Sequence, residues 1–135
     1  MKKLIEICGL YKVYKGEEED IFALNNISLT IKEGEFVAIV GQSGSGKSTL
    51  MNMIGCLDLS SGGTYFLDGK DVRHFSDDGL SHIRNQTIGF IFQGFNLIPG
   101  LSAMENTELP LLYRGLSIIL RWRLLNSSLI QRDNC

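Results

Sequence analysis

Eight residues, Gly41-Gln42-Ser43-Gly44-Ser45-Gly46-Lys47-Ser48, constrain what this chain can fold into more than any other feature. They match G-x-x-x-x-G-K-S/T at every fixed position. They follow the continuous apolar run Phe36-Val37-Ala38-Ile39-Val40 and precede Thr49-Leu50-Met51-Asn52-Met53-Ile54, which reads as a helix with apolar positions 50, 51, 53, 54 and 57. A run that is apolar throughout predicts a strand buried on both faces, as in a parallel sheet covered by helices. Strand, glycine-rich loop and helix in that order make a phosphate-binding loop. The glycines let successive N–H groups converge on one concavity for anionic oxygens. The first turn of the helix adds the positive end of its dipole. Lys47 supplies a mobile cation for β- and γ-phosphates, and the Ser48 hydroxyl is a hard oxygen ligand suited to Mg²⁺. Thr49 can donate to an α-phosphate. The bland reading, a flexible Gly/Ser loop that happens to hold a lysine, is opposed by the strand before it and the helix after it. The spacing is not G-x-G-x-x-G, which disfavours a dinucleotide fold.

Upstream, residues 4–14 and 22–31 are rich in β-branched and aromatic side chains and predict two strands joined by the acidic loop Gly16-Glu17-Glu18-Glu19-Asp20. Lys32-Glu33-Gly34-Glu35 makes a turn. Downstream, Thr64-Tyr65-Phe66-Leu67 and Val72 flank Asp68-Gly69, a tight-hairpin dipeptide. Ser76-Asp77-Asp78 predicts a helix start, with the helix running to about Arg84. Ile88-Gly89-Phe90-Ile91-Phe92 predicts a second core-type strand, ended by Gln93. Ser102 predicts the N-cap of a helix reaching Tyr113, with Pro110 expected to kink or restart it. There is no internal repeat.

Composition excludes several classes. The 135 residues amount to one domain or part of one, and 44% hydrophobic with 21% charged residues is an ordinary globular balance. A net charge of −2 gives no general pull toward nucleic acid. Cys8, Cys56 and Cys135 are too widely spaced for a disulfide framework or a zinc knuckle, and His74 and His82 are isolated. Glu6 interrupts any signal-peptide run, and no stretch approaches the roughly 20 apolar residues that span a bilayer. A cytoplasmic location is expected, unless a partner holds the chain at a membrane.

Beyond the loop, the ordered blocks Leu10-Tyr11-Lys12-Val13-Tyr14, Ala23-Leu24-Asn25-Asn26-Ile27-Ser28-Leu29, Gly34-Glu35-Phe36-Val37-Ala38-Ile39-Val40-Gly41, Leu50 to Asp58, Gly63-Thr64-Tyr65, Asp68 to Val72, Ile88 to Gln93 and Glu105 to Gly115 resemble the nucleotide-binding subunit of ABC transporters. The nearest branch is similar to the ATPases of lipoprotein-release and macrolide-export systems, over roughly residues 4–117. The resemblance implies an α/β fold: a P-loop NTPase core of the ABC ATPase type, mainly parallel, with an antiparallel β subdomain. It implies ATP and Mg²⁺ held by Gly41, Gln42, Ser43, Gly44, Ser45, Gly46, Lys47, Ser48 and Thr49, with Tyr14 stacking on adenine. Gln93 falls on the glutamine that reaches the metal or its water, so Ser48 and Gln93 are the implied metal-site residues. Gly94 to about Gly100 would contribute to docking on a transmembrane permease subunit. A second nucleotide-binding subunit would close the site, and the assembly would sit peripherally at the inner face of the cell membrane.

The resemblance also implies pieces that these residues lack. No signature loop of the type L-S-G-G-Q, Asp-Glu strand or switch His follows Gln93. Leu59-Ser60-Ser61-Gly62-Gly63 has one Ser too many, lacks the Gln and precedes a hairpin, so it reads as a turn. Ile118-Ile119-Leu120-Arg121-Trp122-Arg123-Leu124-Leu125 replaces the charged helix expected there. Residues 1–117 carry 10 basic and 14 acidic side chains, whereas 118–135 carry three Arg and one Asp. The expectation is a truncated domain: residues 1–117 as its N-terminal part, and 118–135 as a divergent tail from a frameshift or premature stop. The rival for the tail is a basic amphipathic helix with Ile118, Trp122, Leu125 and Leu129 on one face. The expected function is the ATP-binding subunit of an export or lipoprotein-release transporter that binds ATP without efficient hydrolysis, because the base-bearing strand is missing. A P-loop nucleotide or small-molecule kinase is the alternative enzyme, and a non-catalytic nucleotide-binding fragment is the other. About 40 residues with two strands precede the loop, where such kinases place it near the N-terminus, and this favours the transporter reading.

Overall fold

Strands β1 (Lys3–Tyr14) and β2 (Ile21–Lys32) are neighbours in sequence and pair with each other. Their antiparallel ladder runs from Lys3 opposite Lys32 to Tyr14 opposite Ile21. The computed structural model describes residues 1–94 and 96–130. The acidic connection is exposed, and Lys15 and Asp20 pair across its mouth at 3.0 Å. The other edge of β1 takes β3 (Gly62–Leu67), antiparallel, from Ile5 opposite Leu67 to Tyr11 opposite Gly62. β4 (Lys70–Asp71) completes a four-stranded sheet in the order β2-β1-β3-β4. The predicted hairpin turns at Asp68 and Gly69, both left-handed with φ of 50° and 75°, the geometry a two-residue turn of this kind demands.

Between β2 and β3 lies α1 (Lys47–Ile54), and after β4 come a 3-10 turn (Val72–His74) and α2 (Asp77–Gln86). The Ser76 hydroxyl accepts from the Gly79 amide at 3.2 Å, the N-terminal capping that the Ser-Asp-Asp cluster predicts. The core is drawn from all of these pieces: Ile7 and Leu10 of β1, Leu24 of β2, Leu50 and Met53 of α1, Tyr65 and Leu67 of β3, and Leu80 and Ile83 of α2. Each such aliphatic side chain contributes about 1.5–3 kcal/mol by leaving water.

The chain divides into two compact units, Met1–Arg84 and the residues from Asn85 onward. The second contains α3 (Ala103–Tyr113) and α4 (Ile118–Ile130). Ser102 begins α3 with a full capping box, its hydroxyl accepting from the Glu105 amide while the Glu105 carboxylate accepts from the Ser102 amide at 2.7 Å. Glu108 of α3 and Arg121 of α4 pair at 3.8 Å. Among the described residues of this unit, Leu125 alone is a buried hydrophobic side chain.

The structure corrects two expectations. Residues 36–40 and 88–92 form no strand, so the sheet among the described residues is wholly antiparallel and not the parallel core predicted around the glycine-rich loop. Phe36 is 99% exposed, Val40 and Ile91 are exposed with it, and Phe90 stacks on Phe92 with ring centres 5.5 Å apart. The reason is pairing: a strand apolar on both faces needs a hydrogen-bonded neighbour on each side and helices above and below. No strand among the described residues lies beside either run. Pro110 does not restart its helix: α3 runs through it as one element. On the tail helix, Ile118 and Trp122 are exposed while Leu125 is buried. The Leu129 side chain, Phe95 and Cys135 lie outside the described residues.

Candidate functional site

The glycine-rich loop is shaped by its own backbone. Ser45 donates its amide to the Gln42 carbonyl at 3.3 Å, turning the chain, and Gly46 caps α1 in the left-handed region at φ 84°. Glycine is required there twice over: a side chain would be strained at that φ, and a Cβ would come within 2.4 Å of the Ala23 carbonyl oxygen. Gly46 is thus the point where the loop is pressed against β2. At Gly41 a Cβ would meet the Ser45 hydroxyl at 2.7 Å, so the two sides of the turn also close on each other.

This geometry leaves donors open. The first helical bond is from the Leu50 amide to the Gly46 carbonyl, at 2.8 Å. The amides of Gly46, Lys47, Ser48 and Thr49 donate to no acceptor among the described residues, and no side chain caps the helix. The Lys47 ammonium folds back over the loop to the Gln42 carbonyl at 2.5 Å and the Ser45 hydroxyl at 3.4 Å. The Ser48 hydroxyl is exposed and makes no hydrogen bond among the described residues. Open amides, a cation on a flexible stem and a free hydroxyl at one helix start fit a phosphorylated ligand, with one hard oxygen available to a cation.

The far end of α1 is anchored where the near end is open. Tyr65 of β3 donates its hydroxyl to the Ile54 carbonyl at 2.8 Å, and Arg84 donates to the Cys56 carbonyl at 2.9 Å. The first satisfies a carbonyl that the helix C-terminus leaves unpaired, and the second holds the chain just past the C-cap. Burial pushes both the Tyr65 hydroxyl and the Cys56 thiol above their ordinary values, so both remain protonated at neutral pH. With Leu50 and Met53 buried between these ends, α1 is a fixed post for the loop.

Tyr14 stands at the end of β1, 39% exposed, and the structure gives it company that the sequence did not predict. Its hydroxyl donates to Asp58 Oδ2 at 3.0 Å. The Lys12 ammonium donates to Asp58 Oδ1 and to the Leu59 carbonyl, each at 2.7 Å, and lies 4.9 Å from the centre of the Tyr14 ring. Partial burial pushes the Asp58 carboxyl upward, but bonds from Lys12, Tyr14 and the Leu59 amide outweigh it and hold it below its ordinary value. Lys12 was legible as a neighbour, being two residues from Tyr14 on one strand and so on the same face. Asp58 was not, because 44 residues separate it from Tyr14. Gln93 is exposed at a bend in the second unit. The loop residues 41–49 therefore form one continuous site, and Tyr14 belongs to a separate cluster within the same unit.

Comparison with known proteins places this geometry among relatives. The family model described as ABC transporter matches residues 24–133. An ABC transporter ATP-binding protein of uncharacterised role from Methanocaldococcus jannaschii, MJ0796, is 54% identical over 114 residues, covering 83% of this chain and 48% of that protein. The macrolide export ATP-binding/permease protein MacB of Mannheimia succiniciproducens is 51% identical over 114 residues, covering 84% of this chain and 18% of that protein. Among solved structures, the dimeric post-hydrolysis state of the MJ0796 cassette bound to ADP and Pi superposes with a TM-score of 0.80 at 49% identity, covering 87% of this chain and 52% of that one. The chain spans about half the length of MJ0796 and under a fifth of MacB. No helix among the described residues is long and apolar enough to cross a membrane.

Proposed function

The chain belongs to the ABC transporter family and has the α/β fold of its ATP-binding cassettes, and from that premise we propose that it is the ATP-binding portion of an export transporter's cassette. One observation carries the reading: the unpaired amides of Gly46 to Thr49 open onto a loop crossed by the Lys47 ammonium, on a helix anchored at its other end. Lys47 exchanges its bonds to Gln42 and Ser45 for phosphate oxygens. The amides from Gly46 to Thr49 hold the remaining oxygens, and Ser48 offers its hydroxyl to Mg²⁺. Mg²⁺, when bound, would neutralise phosphate charge. Tyr14 presents its ring to the adenine base. MJ0796 with ADP and Pi is a relative at about half identity, which supports a nucleotide ligand.

Hydrolysis needs a carboxylate to position water and a second hold on the metal. We infer that these 135 residues, tested alone, bind Mg·ATP with turnover no faster than background. Its expected partners are a transmembrane permease subunit, met through the segment from Gly94 to about Gly100, and a second nucleotide-binding subunit. Those partners would hold it peripherally at the inner face of the membrane. Titration calorimetry with Mg·ATP tests the reading: the chain binds, and Lys47→Ala lowers affinity by about 100-fold or more, as expected when a charge-assisted phosphate contact is lost. Equal binding by both proteins would refute the site, and Lys47-dependent ATP turnover would refute the binding-only assignment.

A further inference from the structure

We infer that Lys12 and Asp58 are positioning residues for base recognition, which clamp Tyr14 so that one face of its ring is closed by a cation and the other is presented to a flat heteroaromatic base. The inference rests on the proposed role of Tyr14 and adds what fixes it. Four observations converge. Tyr14 and Lys12 stand two residues apart on β1, on one face of the strand. The Tyr14 hydroxyl is tied to Asp58, which fixes the direction in which the side chain points. The Lys12 ammonium lies 4.9 Å from the ring centre, within the range of an attractive cation–π contact. That ammonium is itself held by Asp58 and the Leu59 carbonyl, and its side chain is only 13% exposed, so it does not swing away into solvent.

The segment carrying Asp58 is pinned to the same strand end. Ser61 donates its amide to the Tyr11 carbonyl at 2.9 Å, and its hydroxyl accepts from the Val13 amide at 2.9 Å. The clamp therefore has both arms fixed to β1. A ring so held has already lost the side-chain freedom that stacking would otherwise cost, and this is how preorganisation raises affinity. Ligands with a planar base gain from it; inorganic polyphosphates, which meet only the loop, do not.

The experiment compares Mg·ATP with Mg·tripolyphosphate by titration calorimetry in the wild-type chain and in Asp58→Asn, Lys12→Met, Lys12→Arg and Lys47→Ala. Asn keeps an acceptor for the Leu59 amide but loses the charge that holds Lys12. The expected result is about a threefold to tenfold loss of ATP affinity in Asp58→Asn and Lys12→Met, with tripolyphosphate affinity unchanged. Lys12→Arg, which keeps a cation over the ring, recovers most of the ATP affinity. If the variants bind ATP as the wild type does while Lys47→Ala loses both ligands, the clamp is refuted and the phosphate site stands. Equal losses of both ligands in Asp58→Asn make the pair a brace for the fold, and also refute the inference. If the wild type binds neither ligand, the nucleotide reading and the clamp fall together.

Discussion

The β1–β2–β3 sheet and the apolar run Phe36–Val40 are built from similar residues, yet one is folded against a core and the other lies exposed with no strand partner among the described residues. The difference lies in where each finds its hydrogen bonds. β1 pairs with β2 across a six-residue connection and with β3 on its other edge, all within the first 67 residues. Antiparallel neighbours of this kind need only a turn. Residues 36–40 and 88–92 have the composition of strands that pair on both sides and are covered on both faces, and the described residues supply no such partners. Apolar composition writes a demand for burial; topology decides whether the demand is met.

The sharpest test of that comparison is amide hydrogen exchange. Amides of β1, β2 and β3 are expected to exchange at least about 10³-fold more slowly than those of residues 36–40 and 88–92, since ladder amides open only with the fold and the others have no bond to break. Comparable protection in both sets would mean that the runs are paired in solution, and the contrast would disappear. Truncation comes next in size. Leu10→Ala, at a side chain with 0% exposure, should cost about 2–5 kcal/mol in denaturant unfolding, whereas Ile91→Ala should stay within about 0.5 kcal/mol. A cost at Ile91 near that at Leu10 would break the comparison from the other side.

The smallest effect is a pH dependence on the packed side. Asp71 accepts from Arg73 at 2.7 Å and from the Arg73 amide at 3.0 Å, and the arginine holds its carboxyl down at about 2. A carboxyl whose folded value lies below its unfolded value stabilises the fold above the unfolded value, and that stabilisation fades as pH falls from about 4 to about 2. With solvent screening the pair, the loss should be under about 1 kcal/mol, and Asp71→Asn should flatten it. An unchanged acid limb in Asp71→Asn would show that the pair carries none of the pH dependence.

Much of the site was legible. The loop from Gly41 to Ser48 was readable because its glycines, lysine and serine act through the backbone of one short segment, where spacing is geometry. The Asp68-Gly69 hairpin and the Ser102 N-cap were readable for the same local reason. The tie from Tyr14 to Asp58, the Tyr65 hydroxyl on the end of α1, and the contact of Gly46 with the Ala23 carbonyl were not. Each joins segments whose approach depends on the sheet order.

By itself, then, the amino-acid sequence determined the glycine-rich loop at the start of α1, the antiparallel strands with their turns, and membership of a family whose motifs lie in order along the chain. Tertiary structure alone decided that α1 is anchored at one end and open at the other, that Lys12 and Asp58 hold Tyr14, and that two strand-like runs find no strand partner among the described residues. The physical reason is range: turns, caps and phosphate loops are satisfied within a few residues, whereas a buried carbonyl, a clamped ring or a strand edge is satisfied only by a partner that the fold brings from elsewhere.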